Sequence, residues 1–497
     1  MEKKVVLAAS YSVVEPLSLM YLSGVAKQER WKTKIVLVKN NDFAELDKII
    51  ETTKPQIVGF SIYTGNHLQA FKYFDILKNK NKKIKIVLGG PHATYFPEEA
   101  IKHADYVVLS EGFNAFRKIL QGKAKPGILP LVKQEPFPLP QREGFYKDYH
   151  IHNNSEIKSV ITNTGCPYAC TYCYNSSTLD KISSVLSKTQ LEQMEKTLGP
   201  TKRLFPHSKR RVDSVIKEIQ NILKISPQTK LIFFQDDVFG ADIEWLKEFT
   251  KKYATLKLPF HAQLRFEYAN PKNPECCERL ELMKKAGCNG LTFAIESADP
   301  IIRQEVLNRH MDESLLFDVF QHLNKMGFKV RTEQMLGLPY GATSKSTKIN
   351  LDADLQLLEL NVKLKEKTGL PTIAWAAIFA PYKGTKISEY CLKHGFYLGE
   401  NEDIPESFFE RSVLRFPKKW TGSGLSPGDR DSWLSEKEQE AYRDKMQTLR
   451  DLFDFFARIP KGHILAKDFL EKGKLDFYTL STEARRHVYD YELYGVK

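Results

Sequence analysis

No apolar run in this chain of 497 residues approaches the roughly 20 that cross a bilayer as a helix. The opening residues, M-E-K-K-V-V-L-A-A-S, lack the long apolar core and the small-residue cleavage site of a secretion signal. Cysteines are few. There are seven, an odd count, which excludes a secreted disulfide framework. The expected location is the reducing cytoplasm. There is also no helix-turn-helix, zinc-finger or RNA-recognition signature, so no nucleic-acid partner is expected despite a net charge of +13. The lysines spread along stretches such as 78–85 and 363–367 and read as a solvated surface. Peripheral contact with an anionic membrane face, or with an acidic partner, is the other use of that charge. At 42% hydrophobic the chain is globular, and its length suggests two or three domains.

The cysteines that are present concentrate in one stretch, N-T-G-C-P-Y-A-C-T-Y-C-Y-N, residues 163–175. Cys166, Cys170 and Cys173 stand at C-x3-C-x2-C. The β-branched run at 159–162 predicts a strand, and Gly165 and Pro167 turn the chain after it. The thiols therefore sit on a loop at a strand end. Three thiolates hold three corners of a cubane iron–sulfur cluster. No fourth cysteine follows within the next hundred residues, so one iron is left to a non-protein ligand. An open metal position marks a site that does chemistry, by the argument that holds for zinc. A zinc knuckle is the alternative, although zinc favours C-x2-C pairs and a fourth Cys or His.

Before this loop, apolar runs at 4–10, 34–38, 56–63, 85–88 and 106–109 alternate with helical patterns. That rhythm predicts an α/β, doubly wound, Rossmann-like parallel sheet of about five strands over residues 1–125. Ligands bind such sheets beyond the carboxyl ends of the strands. Ser10, Ser61, Tyr63, Thr64, Gly89, Gly90, His92, Glu111 and Gly112 are expected there, mostly small or polar. His92 follows G-G-P and reads as a loop histidine with a polar partner near the surface, with a cobalt ligand as the alternative reading. Residues 126–157 hold Pro126, Pro130, Pro136, Pro138 and Pro140, which predicts a linker running over the surface.

From residue 158 the β/α rhythm resumes. Strands are expected at 159–162, 231–234, 261–265, 291–294, 329–335 and 372–379. This predicts a TIM-like partial (β/α)6 barrel over 158–385, with its site at the carboxyl ends of the strands. From about 386 the rhythm stops, and 386–497 reads as mainly helical. It includes a glycine-bearing loop at 422–428 and a long helix at 435–459. That helix opens with Ser435 and Glu438 at capping-box spacing.

The cysteine loop, with aromatic Tyr172 before its last cysteine, resembles that of the radical S-adenosylmethionine (SAM) enzymes. The segments E-P-L-S-L-M-Y-L-S, G-F-S-I-Y-T, L-G-G-P-H-A-T and S-E-G resemble the cobalamin-binding domain of the cobalamin-dependent members. The resemblance implies a 4Fe–4S cluster on Cys166, Cys170 and Cys173, whose open iron is chelated by SAM, and an electron donor such as flavodoxin or ferredoxin. The resemblance places Tyr172 in the same cofactor site. Gln235, Asp236 and Asp237 stand where the family has a Gly-Gly-Glu segment that meets the SAM amino group, so the motif is altered here. Arg265 is implied to pair with the SAM carboxylate, and Glu296 and Ser297 to lie near the ribose. Gly337-Leu338-Pro339 matches a turn near the adenine. The D-x-H-x-x-G motif of other cobalamin domains is missing, and with it their lower cobalt ligand.

The activity implied is methylation of an unactivated carbon by radical SAM chemistry with cobalamin. Radical rearrangement, cyclisation or carbon coupling is the alternative among enzymes. A non-catalytic cobalamin- or cluster-binding redox sensor is the alternative outside them. Anaerobic reconstitution is expected to give about four irons per chain. Replacing Cys166, Cys170 or Cys173 by Ala should abolish SAM cleavage, and replacing Cys276, Cys277, Cys288 or Cys391 should not. A cluster that survives the triple substitution would refute the assignment.

Overall fold

The computed structural model describes residues 2–130, 136–176, 178–192, 208–339, 350–399, 411–418 and 433–472. The glycine-bearing loop expected at 422–428 lies outside them. The chain forms two compact units, Met1–Pro167 with Asn175–Thr229, and Tyr168–Tyr174 with Lys230–Lys497.

The first unit is built on six strands: β1 (Lys4–Ser10), β2 (Lys32–Val38), β3 (Ile57–Ser61), β4 (Lys85–Gly89), β5 (Tyr106–Val108) and β6 (Gly127–Leu129). They pair in the order β2-β1-β3-β4-β5-β6, all parallel. The order reverses between β1 and β3, so a crevice opens beyond Ser10 and Ser61. Both faces are covered. Val6 and Ala8 face one core, with Val58, Phe74 and Leu88; Val5 and Leu7 face the other, with Met20, Val87 and Phe116. Burial on both faces is why these strands read as unbroken apolar runs rather than alternating ones.

Two expectations need correction. The sheet has six strands, and β6 lies in the stretch read as linker. That stretch is also not merely a surface crossing. It carries helices Arg142–Asp148 and His150–Asn154, and Arg142, Phe145 and Tyr146 are buried. The prolines stop at 140, and the following segment is free to form helix and bury its aromatic face.

Arg142 enters a buried charge network. Its guanidinium donates to Glu15 at 2.9 Å and to Glu218 at 2.8 Å, and Arg210 donates to Glu218 at 2.7 Å. The Tyr21 hydroxyl adds a bond to Glu218 at 2.9 Å. Burial alone would raise the Glu218 carboxyl, but Arg210 and Arg142 hold it below the usual carboxylate range. The same groups grip strand β7 (Ile157–Val160). Glu15 accepts the Ser159 amide at 2.6 Å, and Arg142 donates to the Ser159 carbonyl at 2.7 Å. A short antiparallel pair follows, β8 (Asn163–Thr164) with β9 (Ser208–Lys209). The network thus anchors the strand whose sequence runs on into the cysteine loop.

In the second unit β10 (Leu231–Phe234), β11 (Phe260–Gln263), β12 (Cys288–Glu296), β13 (Lys329–Leu336) and β14 (Ile373–Ile378) pair in sequence order. The sheet is a curled half-barrel. Phe234, Phe239, Phe249, Tyr253 and Phe260 stack behind its first strands. The helix Glu436–Ala457 starts with the expected capping box. Its Asp454 accepts the Ala374 amide of β14 at 2.8 Å, so the C-terminal region covers that sheet edge. Among the described residues no helix is long and apolar enough to cross a membrane.

Breaking a buried ion pair from one side strands the other charge, at a cost of about 3–5 kcal/mol. Glu218→Ala leaves Arg142 and Arg210 facing a void, and chemical denaturation of this variant should register a loss of that order. A loss near zero would mean that the network is solvated.

Candidate functional site: the cysteine loop and the strand-end pocket

The two turns of the cysteine loop are held by different elements. Cys166 belongs to the first unit; Cys170 and Cys173 belong to the second. Cys170 is buried and Cys166 and Cys173 are half-buried. The Cys173 amide donates to the Cys170 carbonyl at 3.2 Å, which keeps these two on one turn. Three cysteines at this spacing fit a cluster by the chemistry of their sulfur donors. Three of the other cysteines are poor competitors. Burial raises the thiol pKa of Cys276, Cys288 and Cys391, so their reactive thiolates are suppressed.

The segment Tyr168–Tyr174 is tied to the strand ends of its own unit. The Tyr172 hydroxyl donates to Glu296 Oε1 at 2.7 Å and accepts from Arg309 Nη1 at 3.1 Å. Glu296 ends β12 next to a register shift, and its φ of +66° is in the left-handed region that side chains avoid. Burial pushes its carboxyl up, against the pull of Arg309 and the Tyr172 bond. Burial also pushes the Tyr172 phenol well above its usual range, with the Glu296 charge adding to it. Thr171 and Asn308 add loop contacts: the Thr171 amide donates to the Leu307 carbonyl at 3.2 Å, and Asn308 Nδ2 to the Ala169 carbonyl at 2.7 Å.

Arg265, just beyond β11, makes a two-point bond to Glu267, at 2.6 and 3.2 Å. Its remaining edge faces Cys170 Sγ at 3.4 Å, and Tyr168 covers one face with its ring centroid 3.5 Å away. Gln235 and buried Asp236 follow β10, and Ser297 follows Glu296, so each of these expected residues stands at a carboxyl strand end. Gly337, φ +71°, turns the chain after β13, and its amide donates to buried Asp354 at 3.1 Å. Sequence reasoning missed Arg309, Glu267 and Tyr168. Arg309 acts on Tyr172 across 137 residues, Glu267 acts on Arg265 from two residues away, and Tyr168 is a variable position between two cysteines, so no motif singled them out.

In the first unit a mainly apolar cavity of about 220 Å³ opens at the switch point. Ser61, Gly89, Gly90, Glu111 and Gly112 line it, with Ser110 and Thr164. Gly90 is there of necessity. Its φ is +90°, and a Cβ would meet Ser61 Oγ at 2.6 Å and the Ile62 carbonyl oxygen at 2.7 Å. A Cβ on Gly112 would meet Val108 Cγ1 at 2.2 Å. Thr164 hydrogen-bonds to Glu111, so the chain two residues before Cys166 forms part of the pocket wall. Ser10 accepts from Asn66, whose Oδ1 accepts the Tyr63 amide at 3.1 Å. Asn66 and Thr164 were not foreseen from the sequence.

His92 departs from expectation. It is not a surface loop residue but sits in the short helix Gly90–Tyr95, 2% exposed. Pro91, at the start of that helix, favours its first turn. His92 Nδ1 lies 3.0 Å from Thr64 Oγ1, and its ring stacks on His67 at 4.0 Å. Its Nε2 stands 3.8 Å from Glu99.

Residues 3–120 match the family model of the B12 binding domain, and residues 160–342 match that of the Radical SAM superfamily. The chain is similar to an uncharacterized methyltransferase of Pyrococcus horikoshii, at 27% identity over 414 residues, covering 78% of this chain and 80% of that one. It is similar to the cytidylyl-2-hydroxyethylphosphonate methyltransferase of Streptomyces wedmorensis, at 20% identity, covering 83% and 84%. Among solved structures its fold is like that of TsrM, a radical SAM methyltransferase of Kitasatospora setae with cobalamin and a 4Fe–4S cluster bound. The TM-score is 0.54 at 14% identity, covering 79% and 76%.

Proposed function

Because this chain belongs to the radical SAM superfamily and carries a B12 binding domain ahead of that region, we propose that it is a cobalamin-dependent enzyme that methylates an unactivated carbon. One observation carries the reading. The glycine-walled pocket shares its wall with Thr164, the residue that leads into a three-cysteine loop. The two named relatives are methyltransferases, which supports methyl transfer over rearrangement or coupling.

Cluster, SAM and cobalamin supply, when bound, the cleavage of SAM to a radical and the methyl group that meets a carbon radical. The chain's own residues have simpler tasks. Cys166, Cys170 and Cys173 would hold the cluster. Gly90 and Gly112 keep the pocket free of side-chain atoms, so that the nucleotide tail of cobalamin can approach the backbone. Ser61 and Glu111 offer hydrogen bonds from its lining. The Thr64 hydroxyl is oriented by His92, which is therefore a positioning residue rather than a cobalt ligand. Glu296 and Ser297 stand where SAM hydroxyls would be met, and Tyr172 fixes the Glu296 carboxylate. A low-potential donor of the flavodoxin or ferredoxin class is the proposed source of electrons, and the cytoplasm the proposed compartment.

Titration of hydroxocobalamin, followed through its cobalt absorption bands, tests the first half. Wild type should bind, His92→Ala should keep an unchanged spectrum, and Gly90→Val should lose at least about tenfold in affinity, about 1.4 kcal/mol. Formation of 5'-deoxyadenosine from SAM under dithionite tests the second half. Absence of cobalamin binding by the wild type would overturn the methyl-transfer reading, and absence of 5'-deoxyadenosine would overturn radical catalysis.

A further inference from the structure

We propose that Arg265 sets the reduction potential of the cluster through an N–H···S bond to Cys170, rather than serving as a free cationic arm for the SAM carboxylate. This rests on the reading that Cys170 ligates the cluster. Arg265 as a residue is 8% exposed, and its polar edges are already engaged. Nε and Nη2 form the fork to Glu267, at 3.2 and 2.6 Å. Nη1 faces Cys170 Sγ at 3.4 Å. Tyr168 lies flat against the guanidinium carbon. A planar cation held by a two-point carboxylate and an aromatic face has little freedom to turn toward another anion.

The consequence follows from charge. An oxidised cubane core carries 2+ and becomes 1+ on taking one electron; no bond forms or breaks and no proton moves. The electron comes from a low-potential donor, dithionite in the test. The added negative charge is shared with the thiolate sulfurs, so a donor pointed at one of them stabilises the reduced form more than the oxidised form. Burial strengthens the effect, because little water screens it. Arg265 should therefore raise the potential. Glu267 opposes it electrostatically while holding the guanidinium in place. Removing each partner should shift the potential in opposite directions, an outcome that simple loss of packing does not produce.

The test is a redox titration of the reconstituted full-length protein, without SAM, read by the electron paramagnetic resonance signal of the reduced cluster. Arg265→Met should disfavour reduction by about tenfold in the equilibrium constant, a shift of about 59 mV to more negative potential. Arg265→Lys keeps the charge without the fork and should fall between it and wild type. Glu267→Gln should shift the potential positively. If Arg265→Met fails to load a cluster, the Lys and Gln variants decide by the sign of their shifts. Unchanged potentials in loaded variants, with SAM affinity alone weakened, would overturn the inference and return Arg265 to the SAM carboxylate. A wild type with no cluster signal would overturn the cluster reading itself, and this inference with it.

Discussion

A carboxylate buried at a strand end must be paired, because an isolated buried charge costs more than the fold can spare. Glu296 is such a group, and its pairing organises the second unit's site. Tyr172 reaches it from the cysteine loop, and Arg309 reaches Tyr172 from beyond the following helix. Arg309 also donates to the Ala294 carbonyl, two residues before Glu296, at 2.6 Å. The loop is thereby held to β12 by a closed set of bonds rather than by apolar contact alone. The left-handed backbone at Glu296 is what aims its carboxylate at Tyr172, and the strain is maintained by these bonds.

The first unit solves the same problem differently. Glu218 satisfies two arginines at once, and Glu15 and Arg142 spend their remaining bonding capacity on the backbone of Ser159. Side chains here stand in for a neighbouring strand by meeting both the amide and the carbonyl of one residue. The pocket beyond β1 and β3 then inherits a fixed wall, since Thr164 follows five residues after Ser159 and bonds to Glu111.

Much of this was legible in the sequence, for physical reasons that can be named. Strands buried on both faces are apolar throughout, so β1, β3 and β4 stood out. Ser435 and Glu438 announced a helix start because a capping box is a local device. Gly90 was placed at a strand end by the sequence, while its positive φ and its close approach to Ser61 and Ile62 are visible only in the structure. What was not legible depends on distance. β6 is three residues between prolines, too short for periodicity to register. The partner of Arg142, Glu15, lies 127 residues upstream, and no local pattern joins them. His92 was placed in a loop because G-G-P reads as a turn. In the structure Pro91 starts a helix instead, and the ring turns inward onto His67. Arg265 was assigned by position, and its actual neighbours, Glu267 and Cys170, come from a strand-end turn and from a loop 95 residues away.

Three cysteines and no fourth are available in the loop, so a cubane held there would leave one iron to an exchangeable ligand. Mössbauer spectroscopy of protein reconstituted with iron-57, recorded with and without SAM, addresses this directly. About four irons should be seen, of which one changes its isomer shift and quadrupole splitting when SAM is added while the other three do not. Spectra in which no iron responds to SAM, or in which the iron is not in a cubane, would contradict it.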